Sequence, residues 1–110
     1  MVEDTGPGPV ADYLPHVVAV PVPAGTADTL LVSGGCFFNG YSFLGNGVAA
    51  VIELYDGQDA TGTLLAVVSL ASGATDHMGP ASKAVFCRNG LFMHRVSGNS
   101  KGAAYVQLFP

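Results

Sequence analysis

Residues 53–68, "ELYDGQDATGTLLAVV", contain two apolar stretches joined by a polar insert. The second stretch, at 63–68, is rich in Val, Leu and Ala, and the insert at 56–62 contains two Asp and two Gly. Asp and Gly are favoured in tight turns because Asp bonds to nearby backbone and Gly adopts left-handed angles. The segment therefore predicts two antiparallel strands joined by a bend.

Strand signals recur along the rest of the chain, whereas apolar residues at helical spacing are absent. The predicted strands are 16–22, 29–32, 36–44, 48–55, 64–70, 82–88, 91–96 and 103–109, with a loop at 71–80. Seven or eight short strands without crossover helices indicate an all-β fold, either an antiparallel β-sandwich or a jelly roll. We expect one domain over residues 16–110. Residues 1–15, rich in Pro, Gly and acidic residues, predict an extended N-terminal arm.

Two local features refine the predicted strands. Gly40 interrupts strand 36–44 and predicts a bulge or a close backbone approach. Strict alternation there would put Phe37, Tyr41 and Phe43 on one face and Phe38 on the other.

Asn89-Gly90 predicts a two-residue hairpin between the strands at 82–88 and 91–96. That pairing would make Cys87 and His94 diagonal neighbours on one face. A Cys–His pair can generate a thiolate, but catalysis also needs an orienting group and an oxyanion site. The sequence shows neither, so it predicts no enzyme.

The strands around the opening insert are apolar on both faces. The face expected to form the core contains Val48, Ala50, Ile52 and Leu54, with Leu64, Ala66, Val68 and Leu70; the other contains Ala49, Val51, Glu53 and Tyr55, with Leu65, Val67 and Ser69. A sheet face exposed to water is normally polar. We therefore expect other subunits to cover part of this second face.

Composition supports the same expectation. Hydrophobic residues make up 49% of the 110 residues and charged residues only 11%, against about 25% charged in ordinary domains. No apolar run approaches the roughly 18 residues of a membrane span. The four cations, Lys83, Arg88, Arg95 and Lys101, are scattered rather than clustered, which disfavours nucleic-acid binding.

Metal and cofactor signals are weak. Glu53, Asp56 and Asp59 are candidate calcium ligands, but their spacing differs from that of an EF-hand loop and turn chemistry explains both Asp residues. Cys36 and Cys87, with the dispersed histidines, do not have zinc-site spacing. Buried free thiols are favoured for the two cysteines, and a disulfide between them stays open. No cofactor motif is present.

Two segments carry a family resemblance: "VIELYDGQDATGTLLAVVSL" at 51–70 and "VFCRNGLFMHRVSG" at 85–98. Together with a short last strand, they resemble small β-sandwich structural proteins from the virions of tailed bacteriophages, over residues 35–108. Proteins of that group share an "LYDG…ATGTLLA" hairpin and an "NGL" hairpin in this order. No binding residue is implied by the resemblance.

The resemblance implies a non-enzymatic structural protein of the phage particle, made in the host cytoplasm. We expect a capsid decoration protein that binds the major capsid protein as a homo-oligomer, with a trimer favoured. Two alternatives stay open. One is an accessory tail or head–tail connector protein, and the other is a carbohydrate- or calcium-binding module for host attachment.

Overall fold

The computed structural model describes residues 17–79 and 84–108. Its strands are β1 (Val17–Gly25), β2 (Thr29–Val32), β3 (Cys36–Gly45), β4 (Ala50–Asp56), β5 (Thr63–Leu70), β6 (Thr75–Met78), β7 (Val85–Cys87), β8 (Leu91–Ser97) and β9 (Ser100–Leu108). Strand β6 lies where the sequence predicts a loop, which brings the described strands to nine. The predicted arm at 1–15 lies outside the described residues. In the described part of the chain, no helix is long and apolar enough to cross a membrane.

The strands form two antiparallel sheets. Sheet A has the order β1-β9-β3-β6, with β7 also pairing with β3, and sheet B has the order β2-β8-β4-β5. Strand β3 pairs with β7 through residues 36–38 and with β6 through residues 41–44. The all-β prediction is confirmed, and the architecture is that of a β-sandwich.

The core lies between the two sheets. Its buried hydrophobic residues are Val22, Cys36, Phe38, Tyr41, Phe43, Ala50, Ile52, Leu54, Val68, Leu70, Cys87, Leu91, Met93, Ala104 and Val106. The β4–β5 hairpin is confirmed, and five of the eight residues predicted for its core face are buried.

The exceptions on this hairpin have a structural cause. Val48 precedes β4 and is 48% exposed. Leu54 pairs with Ala66 whereas Tyr55 pairs with Leu64, so Leu65 is the extra residue of a β-bulge. The bulge reverses the alternation, and Leu65 packs against the core while Leu64 is exposed. The predicted faces of Leu64 and Leu65 are therefore wrong.

The predicted Asn89-Gly90 hairpin is also wrong. Strand β7 pairs with β3 in sheet A, whereas β8 pairs with β2 and β4 in sheet B, so the chain changes sheets here. Gly90 has φ 121°, and a Cβ there would overlap with the carbonyl oxygen of Val32. A residue from another part of the chain also stabilises this corner, because the carbonyl oxygen of Gly90 accepts the Gly57 N–H at 3.2 Å.

Strand β3 confirms the bulge predicted at Gly40. The register with β9 shifts between Phe38 and Gly40, and a Cβ on Gly40 would overlap with the carbonyl oxygen of Met78. Because the bulge reverses alternation, Phe38 joins Tyr41 and Phe43 in the core. The predicted face of Phe37 is wrong, as its ring lies 5.4 Å from that of Phe86, opposite it on β7.

Candidate interaction surface

The outer face of sheet B has an apolar row with one side chain from each strand. Leu30 lies opposite Phe92, Phe92 opposite Tyr55, and Tyr55 opposite Leu64. Directly opposite side chains in antiparallel strands are close enough to pack together. Leu30 and Leu64, at the two ends of the row, are 40% and 49% exposed. We call these four residues the apolar row.

A second row on the same face is mixed, with His94 opposite Glu53 and Glu53 opposite Val67. The Tyr55 hydroxyl donates to Glu53 Oε1 at 2.6 Å, and this hydrogen bond raises the pKa of Tyr55. Val67 is 58% exposed. The carboxylate of Glu53 is thus hydrogen-bonded to Tyr55, a member of the apolar row. This bond lowers the free-energy cost of burying the carboxylate when a partner covers the face.

At the β2 end, Asp28 lies within hydrogen-bonding distance of two polar groups of β8. His94 Nδ1 lies 2.9 Å from Asp28 Oδ2, and the Arg95 N–H donates to Asp28 Oδ1 at 2.8 Å. Partial burial would raise the pKa of Asp28, but these hydrogen bonds and the charges of His94 and Arg95 lower it overall. The Arg95 side chain is buried and donates to the carbonyl of Pro23 at 2.8 Å.

The three calcium candidates have separate partners. Glu53 bonds to Tyr55, Asp56 Oδ1 accepts the Asn89 N–H at 3.0 Å, and Asp59 Oδ1 accepts from Thr61. The bonds from Thr61 lower the pKa of Asp59. Within the described residues, no group of three or more His, Cys, Asp or Glu side chains is arranged to hold a metal. The insert is the bend of the β4–β5 hairpin, and Asp56 fastens it to the sheet-changing corner.

The two cysteines meet each other rather than a histidine. Cys36 lies directly opposite Cys87, and both are free and fully buried. The hydrogen bond with Cys36, together with burial, raises the pKa of the Cys87 thiol. The predicted Cys87–His94 neighbourhood is wrong, because the two residues lie on strands of different sheets. For Cys87, the raised pKa and complete burial both oppose nucleophilic reactivity.

Sequence reasoning identified the apolar second face of β4 and β5 but not the full row. Leu30 and Phe92 join it only through the pairing of β8 with both β2 and β4. Spacing along one strand contains no information about that register.

Comparison of the chain with models of protein families, with curated proteins and with solved structures gave no match. The resemblance to phage virion proteins stays a prediction.

Proposed function

We propose that this chain is a structural protein of a bacteriophage particle, a capsid decoration protein that binds the major capsid protein through the outer face of sheet B. The exposed apolar row is the observation that carries the docking surface, and the sequence resemblance of residues 51–70 and 85–98 to phage virion proteins favours the phage particle. The chain acts as a homo-oligomer, and the resemblance to phage virion proteins favours a trimer. Its role is to reinforce the shell without catalysis.

The chemistry of the face suits a protein contact. Contact cores are depleted in charge and enriched in aromatic residues, and this face presents Tyr55 and Phe92 between Leu30 and Leu64. The charged groups beside the row are already engaged, as Asp28 bonds to His94 and Glu53 to Tyr55. A partner can therefore cover the row without stripping water from unpaired charges.

The strength of one such contact is modest. Complete burial of a large apolar side chain contributes about 1.5–3 kcal/mol, and the ends of the row are already about half buried. Each exposed side chain then contributes roughly 1 kcal/mol on docking. A cement protein works with contacts of this size because linked copies on a symmetric shell bind with far greater total strength than one copy.

A binding experiment with a matched pair of variants tests the proposal. Leu64 and Val48 are 49% and 48% exposed, but only Leu64 lies in the apolar row. Phage particles produced without this gene are separated into heads and tails, incubated with purified chain and sedimented. We expect wild type and Val48→Glu to sediment with the heads, and Leu64→Glu to bind about tenfold more weakly, a loss of about 1.4 kcal/mol.

Circular dichroism and a thermal melt first establish that both variants fold. Absence of wild-type binding to heads would overturn the decoration role, and binding to tails alone would favour the accessory tail protein instead. Equal binding by Leu64→Glu and Val48→Glu would leave a capsid protein that docks by another surface.

A further inference from the structure

The two cysteines of the chain lie directly opposite each other on neighbouring strands. Cys36 is the first residue of β3 and Cys87 is the last residue of β7, and the two are partners in the register of these strands. Opposite residues of antiparallel strands have Cα atoms about 4.5–5.5 Å apart, and a disulfide bond accepts a separation of roughly 4.4–6.8 Å. The strands therefore already hold the pair at the separation that a disulfide bond requires.

Both cysteine side chains belong to the core between the sheets, and neither is exposed to solvent. The two thiols hydrogen-bond to each other, so their sulfur atoms face one another across the strand pair. The sequence contains no third cysteine that could compete for either sulfur. A bond between the two would therefore close within one molecule.

Strand β7 provides a way for these buried thiols to meet a reagent. It has three residues, and among the described strands it pairs only with β3. Val85 and Phe86 are 48% and 47% exposed, so Cys87 is the buried residue of this strand. Segments with little burial open locally without unfolding of the whole domain. Opening of β7 would expose both thiols to solvent.

We propose that Cys36 and Cys87 form a thiol–disulfide switch, which locks β7 to β3 when the chain meets a small-molecule disulfide such as oxidised glutathione. The Cys36 thiolate attacks one sulfur of the reagent, and one reagent thiol leaves. Cys87 then attacks the sulfur of Cys36, forms the Cys36–Cys87 bond and releases the second reagent thiol. The S–S bond of the reagent breaks, and its sulfurs gain the two electrons and two protons that the protein thiols lose.

The order of the two steps follows from the hydrogen bond between the thiols. This bond lowers the pKa of Cys36 and raises the pKa of Cys87, and the thiolate is the attacking form. Once Cys36 is bonded to the reagent, Cys87 loses the partner that raised its pKa, and it lies opposite the sulfur that it attacks. The lock also fastens the corner that follows Cys87, where the chain changes sheets.

Mass spectrometry and thiol titration of the purified full chain, at increasing ratios of oxidised to reduced glutathione, test the switch. We expect a monomeric product that lacks both thiols and is lighter by about 2 Da. Its Tm should rise by about 10 °C or more, because the bond closes a long loop of the unfolded chain. Dithiothreitol should restore the original Tm, and the double variant Cys36→Ala/Cys87→Ala should melt at one temperature in both conditions.

Phe86→Ala tests whether the opening of β7 gives the reagent access. The Phe86 ring lies 5.4 Å from the ring of Phe37 on β3, and loss of this contact should make oxidation severalfold faster. Val48→Ala is the matched control, since Val48 is 48% exposed and lies outside β7. Its oxidation rate should equal that of wild type.

Three results would overturn the switch: two free thiols at the highest ratio of oxidised glutathione, a disulfide between two chains, or an oxidised chain that melts no higher than the reduced one. Equal oxidation rates for Phe86→Ala and Val48→Ala would overturn the role of β7 opening. These measurements use the free chain without phage particles, so their failure is distinct from a failure to bind heads.

Discussion

Asp56 offers the sharpest test of whether the opening insert is a bend or a cation site. Its Oδ1 accepts the N–H of Asn89 at 3.0 Å, which joins the β4–β5 hairpin to the corner where the chain changes sheets. Asp56→Ala removes the acceptor, whereas Asp56→Asn keeps an oxygen in the same place and removes only the charge. The two variants therefore separate a hydrogen-bonding role from an ionic one.

The size of the effect follows from the environment of the bond. Hydrogen bonds to charged groups contribute about 1.5–3 kcal/mol, but Asn89 is exposed and water replaces part of this bond. We expect Asp56→Ala to lower the free energy of unfolding by about 1 kcal/mol. For a domain of this size, that corresponds to a fall in Tm of roughly 4–8 °C. Asp56→Asn should cost less than half as much.

Thermal melts of wild type and both variants, each with millimolar calcium and with EDTA, provide the measurement. We expect the same ranking in both conditions and no calcium-dependent rise in Tm. A calcium-dependent rise in wild type that Asp56→Asn and Asp56→Ala abolish equally would refute the hydrogen-bond role and restore a cation site.

Three further predictions concern stability. Gly40→Ala should lower the free energy of unfolding, measured by urea titration, by about 2 kcal/mol or more, because Gly40 has φ 146° and an added Cβ would overlap with the backbone of Met78. Gly34→Ala is the control: a Cβ there meets no atom within 4 Å, so the loss should be far smaller. Burial and the hydrogen bond to Asp76 raise the pKa of Tyr41 from 10.0 to about 12. Wild-type stability should therefore fall as pH rises through that range, and urea titrations at several pH values should show a weaker dependence in Tyr41→Phe. The pKa of Asp28 is lowered in the folded protein, so Asp28 contributes stability that is present above pH 3.8 and lost as pH falls below that value. Asp28→Asn should flatten the fall in stability at acid pH, and an unchanged fall would contradict the prediction.

Local patterns predicted the elements of the sandwich but not how the elements meet. Alternation in β4 and β5 correctly placed Ile52, Leu54 and Val68 in the core, since burial acts on each residue of a strand directly. It failed at Leu64 and Leu65, where a bulge adds one residue and exchanges the faces. A bulge arises from the register between two paired strands, and the alternation within one strand does not specify that register.

The Asn89-Gly90 corner shows the same limit. Its residues have the conformational freedom that a hairpin needs, yet Gly90 lies against Val32 and Gly57, which are distant in sequence. Pairing with other strands then determines where the chain goes. The apolar row depends on the register of all four strands of sheet B, so only its β4–β5 half was visible in the sequence.

The proposed place of this chain on a phage capsid is tested most directly by a cryo-electron microscopy map of the particle. We expect the chain on the capsid surface with the apolar row, from Leu30 to Leu64, covered by another protein subunit. A particle map in which that row faces solvent, or in which the chain is missing from the particle, would contradict the claim.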